Sequence, residues 1–212
     1  MNTSENDARR SLQEIEDVAV RTRRMAAFAG VDLILIVWGI VWFLGYLGTE
    51  IIPRLALSLN PKLGPAIGWL IQGWWAILII AGIAATLMVS RRNTPVESSI
   101  GKRIGWLWFA LFGYMYVFGF LIMPFVAVQG HEESMRFWKH MGAIMATVPM
   151  FAYVVIGIWL DSFLVWVGLG VTVLTMLGLY LLLPWFWIYM AFVGGGALIG
   201  TGLVVRRKWR SQ

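Results

Sequence analysis

The sequence predicts an all-α fold: a six-transmembrane-helix bundle of three helical hairpins, with an N-terminal amphipathic cytoplasmic helix. Three observations carry that prediction. Six apolar runs are each long enough to cross a bilayer, which takes about 20 helical residues. The 212-residue chain is 59% hydrophobic and only 13% charged, whereas soluble domains carry about 25% charged residues. Lys and Arg gather on alternate connections between the apolar runs.

The six runs are placed at 27–48, 66–89, 104–128, 141–160, 163–183 and 185–205, and none contains Lys or Arg. An open sheet is excluded, because its edge amides would lack partners in lipid. Thirteen basic residues fall on one side: Arg9, Arg10, Arg21, Arg23, Arg24, Arg91, Arg92, Lys102, Arg103, Arg206, Arg207, Lys208 and Arg210. Four fall on the other: Arg54, Lys62, Arg136 and Lys139. The richer side is expected to be cytoplasmic. An even number of spans then leaves both termini inside. Residues 1–26 form the cytoplasmic helix, 27–205 the transmembrane domain and 206–212 a basic tail.

Within residues 4–24, Leu12, Ile15 and Ala19 recur at helical spacing, and Arg21, Arg23 and Arg24 follow at the membrane. The pattern suits a helix lying on anionic headgroups; the alternative is a docking helix for a cytoplasmic protein. It does not read as a cleaved signal, because the polar lead is long and the apolar run exceeds a signal core of roughly 7–15 residues. The net charge of +6 sits at helix ends, which points to phospholipid as partner, not nucleic acid.

Small residues mark where helices approach closely in a membrane. The last span holds Gly194, Gly195, Gly196 and Gly200, and Gly196 with Gly200 forms a small-xxx-small pair. Internal packing is the plain reading; a homo-oligomer seam is the sharper one. Pro124 and Pro149 each remove a backbone donor inside a span and bend it.

Few residues are candidates for chemistry. Asp32 is placed about one and a half turns inside the first span, where a carboxylate is costly unless paired. Its expected partners are Lys102, Arg103, Thr201, Trp106 or Trp108. Gln72 is expected to bond across helices, and Asp161 to cap the fifth span. With a polar path near Asp32 and Gln72, the chain would be a small-solute channel or transporter. Neither aspartate has the Gly-x-Gly-Asp context of intramembrane aspartyl proteases. His131, Glu132, Glu133 and His140 share an outer loop and are the candidates for a metal. Their spacing fits no zinc geometry, so solvated loop residues are expected and no metal or other cofactor is. Cysteine is absent, which removes disulfides, thiolate metal sites and cysteine nucleophiles. No phosphate loop, dinucleotide fingerprint or Gly-x-Ser-x-Gly elbow occurs. The outer segment 50–65, with Glu50, Pro53, Arg54 and Lys62, is expected in the headgroup region.

The run Val37-Trp38-Gly39-Ile40-Val41-Trp42-Phe43-Leu44-Gly45, preceded by Arg21–Arg24, resembles small bacterial six-span membrane proteins. So does the last span, with Gly194-Gly195-Gly196 and the terminal Arg206-Arg207-Lys208-Trp209. The resemblance implies a bacterial cytoplasmic (inner) membrane and carries no activity. The reading from residues and resemblance together is a non-enzymatic multispanning protein acting as accessory, sensor or scaffold.

Overall fold

The computed structural model describes Gln13 and residues 30–93, 99–126, 131–160 and 162–210, and among these every regular element is helical. The expected N-terminal helix, Gln13 apart, and Asp161 lie outside the described residues. Six helices follow in order: α1 (Val31–Leu59), α2 (Ile67–Asn93), α3 (Ser99–Val126), α4 (His131–Leu160), α5 (Ser162–Leu181) and α6 (186–210). α6 is interrupted by a π-helical segment, Met190–Gly195. Among the described residues, five stretches are long and apolar enough to cross a membrane: Val31–Leu59, Ile67–Arg92, Met135–Trp159, Ser162–Leu181 and Leu183–Arg207.

The first helix differs from expectation at both ends. It begins at Val31, because Gly30 has φ 89°, a left-handed conformation that only glycine adopts cheaply. It runs on to Leu59, 29 residues in all, or about 43 Å. Pro53 lies inside it. The first ten residues of the outer segment, Glu50 to Leu59, therefore continue the helix. Asn60 then ends the helix, its side chain accepting from the Lys62 N–H at 3.0 Å and opening a 3₁₀ turn over Pro61–Ala66.

The segment around His140 also changes character. Residues 131–140 are the opening turns of α4 and not a loop. His140 Nδ1 lies 2.8 Å from the Arg136 carbonyl oxygen, one turn back along the same helix.

α1 is the hub of the bundle, and its faces are shaped by glycine in two ways. Against α6, backbone meets backbone. A Cβ on Gly39 would lie 2.8 Å from the Gly195 carbonyl oxygen. One on Gly195 would lie 2.9 Å from the Gly39 oxygen, and one on Gly202 2.6 Å from the Asp32 oxygen. Gly195 and Gly202 are seven residues apart, so they return to one face of α6. The expected Gly196–Gly200 pair does not make this seam: a Cβ at either position meets nothing within 4 Å. Gly194 sits beside Met190 and Trp42 within the same packed region. Spacing of four identifies a shared face, but not what that face meets.

Against α2, glycine admits rings. The Trp75 indole fills the space at Gly45, and the Trp74 indole that at Gly48. Both N–H groups are satisfied: Trp74 Nε1 donates to the Leu44 oxygen at 3.1 Å, and Trp75 Nε1 to Thr49 Oγ1 at 3.0 Å. The same device recurs at Gly142, which receives Trp187, and at Gly178, which receives Tyr189. The α4–α5 pair returns to the first device, with Gly168 against the Met150 carbonyl and Gly157 against the Val165 amide.

The centre between α1, α4 and α6 is filled by apolar side chains. Leu35, Phe186, Met190 and Ala191 are 0% exposed, and Met150 and Leu198 1%. α2 and α3 lie at the periphery, with Trp69, Ile77, Ile80, Trp106 and Phe109 all exposed.

The seam makes a sign-reversed prediction. Gly39→Ala and Gly202→Ala force the two backbones apart and should destabilise by about 1–3 kcal/mol. Gly196→Ala and Gly200→Ala place a methyl group in open space and should be neutral or stabilising by up to about 1 kcal/mol. Reversible unfolding in mixed micelles, read by circular dichroism, measures all four.

Candidate functional site: a polar clasp at one end of the bundle

The polar side chains that come together are not those that the sequence singled out. They surround Glu50, one turn beyond Tyr46 on α1. The Glu50 carboxylate is 14% exposed and pairs with Arg54, itself 72% exposed, one helical turn on. Lys139 of α4 feels the negative charge of Glu50 and donates to the Pro184 carbonyl at 3.3 Å. The hydrogen bond from Lys139 thus ties α4 to the turn between α5 and α6.

Beneath them is a layer of rings and hydroxyls. Tyr46 is almost fully buried and stacks on Trp187 at 5.9 Å between ring centres. Its edge meets Trp75 at 5.1 Å, and its hydroxyl points at the Gly142 carbonyl at 3.4 Å. Thr49 Oγ1 donates to the Gly45 oxygen at 2.9 Å while accepting from Trp75. Pro53 has no N–H to offer the Thr49 carbonyl four residues before it. Glu50 is paired with Arg54. The arrangement holds helix ends together; it does not present a free base.

Asp32 is at the other end of α1. It occupies the first helical turn, not a position one and a half turns deep. There the exposed amides of the helix N-terminus favour a carboxylate, which removes the need for a dedicated partner. Among the described residues, no hydrogen bond or ion pair joins its side chain to Arg103, Thr201, Trp106 or Trp108. Eighteen residues separate Asp32 from Glu50 along α1, about 27 Å of helix, close to the roughly 30 Å of a hydrocarbon core.

Gln72 lies near the start of α2, one turn before Trp75, and so at the Glu50 end. Trp75 meets α1 at Gly45, which is thirteen residues, or about 20 Å, from Asp32. Leu35, Trp38, Val41 and Trp42 occupy the interval on α1. The two polar candidates are therefore not brought together. His140 is exposed; the side chains of His131, Glu132 and Glu133 lie outside the described residues.

One signal for the clasp was present in the sequence. Glu50 and Arg54 stand four apart, the spacing of neighbours on a helix, and become legible once α1 is continued past residue 48. Lys139 had no such signal, since its partners come from elsewhere in the chain.

No protein-family model, curated protein or solved structure matches this chain.

Removing the buried member of the clasp should cost more than removing its exposed partner. Glu50→Ala should destabilise by about 1–3 kcal/mol, because it strips Lys139 of its counter-charge. Arg54→Ala should stay within about 1 kcal/mol, as exposed pairs contribute little. Parallel unfolding curves of the two variants test the ranking, and equal effects would show that the clasp is only a surface ion pair.

Proposed function

We propose that this chain is a multispanning membrane scaffold or accessory protein without enzymatic activity. In this reading α3 is the sixth span, beside the five stretches apolar enough to cross. The helices form three hairpins in a bacterial cytoplasmic membrane, with both termini in the cytoplasm. Asp32 and Glu50 mark the two edges of the hydrocarbon. The basic groups Arg91, Arg92, Arg103, Arg206 and Arg207 face the cytoplasm, as the excess of positive charge requires.

The observation that carries the reading is the filled centre. The side chains at the meeting of α1, α4 and α6 are packed to 0–1% exposure and are apolar. Asp32 and Gln72 stand toward opposite ends of the paired α1 and α2, about 20 Å apart along α1, with Leu35, Trp38, Val41 and Trp42 in the interval, which supports no shared polar path. A filled core with exposed apolar faces at its edge suits a protein that presents surfaces to others. The N-terminal segment, with its narrow apolar stripe and arginines, is the cytoplasmic surface; α2 and α3 are the surfaces within the bilayer, for lipid or for a second copy.

Three measurements test this. The chain has no cysteine, so single cysteines placed at residues 2 and 211 can be labelled in intact and permeabilised cells. Both should react only after permeabilisation; labelling of either in intact cells would overturn the topology. Proteoliposomes should pass no solute faster than empty vesicles across varied pH and solutes, and Asp32→Asn should change nothing. A deletion of residues 1–20 should lose cytoplasmic partners that the full chain retains on pull-down, and identical partner sets would count against the scaffold role.

A further inference from the structure

A small crevice lies between α3 and the rest of the bundle. Among the residues lining it are Trp38 and Trp42 of α1, Trp108 of α3, and Pro149 and Tyr153 of α4. We propose that this crevice binds a single water molecule, held between the indole N–H of Trp42 and the hydroxyl of Tyr153. One hydrogen-bonded water then joins α1 to α4 inside the bundle. This site goes beyond the scaffold reading and shares with it only the premise that hydrocarbon surrounds the helices.

Size selects the ligand. The crevice has about 20 Å³ of room. One water needs roughly 10–15 Å³, whereas pockets for small organic ligands run to roughly 300–1,000 Å³. Water fits, and an organic molecule does not.

Chemistry decides between a wet site and a dry void. Empty cavities in proteins are apolar, and internal waters sit where about two to four polar groups converge. Four of the lining side chains carry such a group: the indole N–H of Trp38, Trp42 and Trp108, and the phenol O–H of Tyr153. Among the described residues, none of the four has a hydrogen-bond partner. Other rings of the bundle behave differently. Trp74, Trp75, Tyr46 and Tyr189 each reach an oxygen on a neighbouring helix. Among the described residues that are not exposed, Thr86 Oγ1 is the side-chain polar atom sealed in without a partner. The Trp42 N–H and the Tyr153 hydroxyl are therefore not sealed; each borders open space, and the crevice is a space that both residues line.

Trp42 makes the strongest demand. It is 7% exposed, and an indole N–H left dry at that depth is costly. Its six-membered ring faces α6, with Cε3 3.5 Å from a Cβ placed on Gly194. The N–H is across the ring fusion from that atom, on the side away from Gly194. Pro149 offers a further acceptor. It brings no N–H for the Met145 carbonyl one turn before it, and ordered water is one of the groups that re-bond such carbonyls in membrane helices.

The test uses the full chain, labelled with ¹⁵N-tryptophan, in detergent micelles. Water-selected cross-relaxation is recorded in the rotating frame, which separates dipolar contact from proton exchange. The Trp42 indole proton should show a dipolar cross peak to a long-lived water. Loss of the resonance in Trp42→Phe assigns it; where that variant does not fold, contacts with the edge-on Tyr46 ring assign it instead. Tyr153→Phe keeps the ring against Trp108 and removes only the hydroxyl. It should weaken the water cross peak about five-fold, the effect of one hydrogen bond, and leave the Trp74 and Trp75 indole resonances in place. A Trp42 proton without a water contact, or a contact that Tyr153→Phe leaves at full strength, would overturn the site. Trp106, exposed on α3, should show contacts to detergent acyl protons. Their absence would overturn the membrane reading, and the water peak at Trp42 decides the site in either case.

Discussion

The closest approach of α1 to α6 is the constraint on which the rest of the bundle depends. In lipid, burying one more leucine gains little, because the bilayer is as apolar as the side chain. Helices associate where their surfaces fit. At Gly39, Gly195 and Gly202 the two backbones themselves touch. That contact fixes the rotation of both rods about their axes. Once it is fixed, Trp42, Met190 and Leu198 are turned inward, and Phe43 meets Phe192 edge to face at 5.2 Å. The π-helical segment lies along this same contact, adding one residue to the turn at the place where Gly194 and Gly195 leave room for it.

Tryptophan does a second job that lipid makes necessary. An indole N–H without a partner in hydrocarbon costs several kcal/mol. Trp74 and Trp75 avoid that cost by reaching across to the Leu44 carbonyl and the Thr49 hydroxyl on α1. Tyr189 does the same with the Leu174 carbonyl of α5 at 3.0 Å. Glycine opposite each ring lets these polar edges come within bonding distance. The Trp-rich and Gly-rich character of the chain is thus one property: rings need notches, and notches need rings to fill them.

Some of this was open to inspection along the chain, and some was not. The apolar runs gave the helices, because helix length in a membrane follows bilayer thickness. Their ends were harder. Gly30 begins α1 through a left-handed backbone that its identity permits but does not compel. α1 and α4 continue past the apolar runs as helices bearing charges, and a polar helix end reads locally like a loop. Asp32 was assigned a depth inside the first span that depended on where the helix began; moved to the first turn, it needs no buried partner. Glu50, two residues past the end of the first apolar run, belongs to α1 because the helix continues to Leu59.

What the chain decides alone is its solvent and its segmentation: the run of apolar residues requires hydrocarbon, and each run must close its own backbone hydrogen bonds as a helix. What only the tertiary structure decides is rotation. Gly195 and Gly196 are adjacent and chemically identical, yet one touches α1 and the other faces open space. A hundred degrees about a helix axis separates them, and that angle is set by the neighbouring helix.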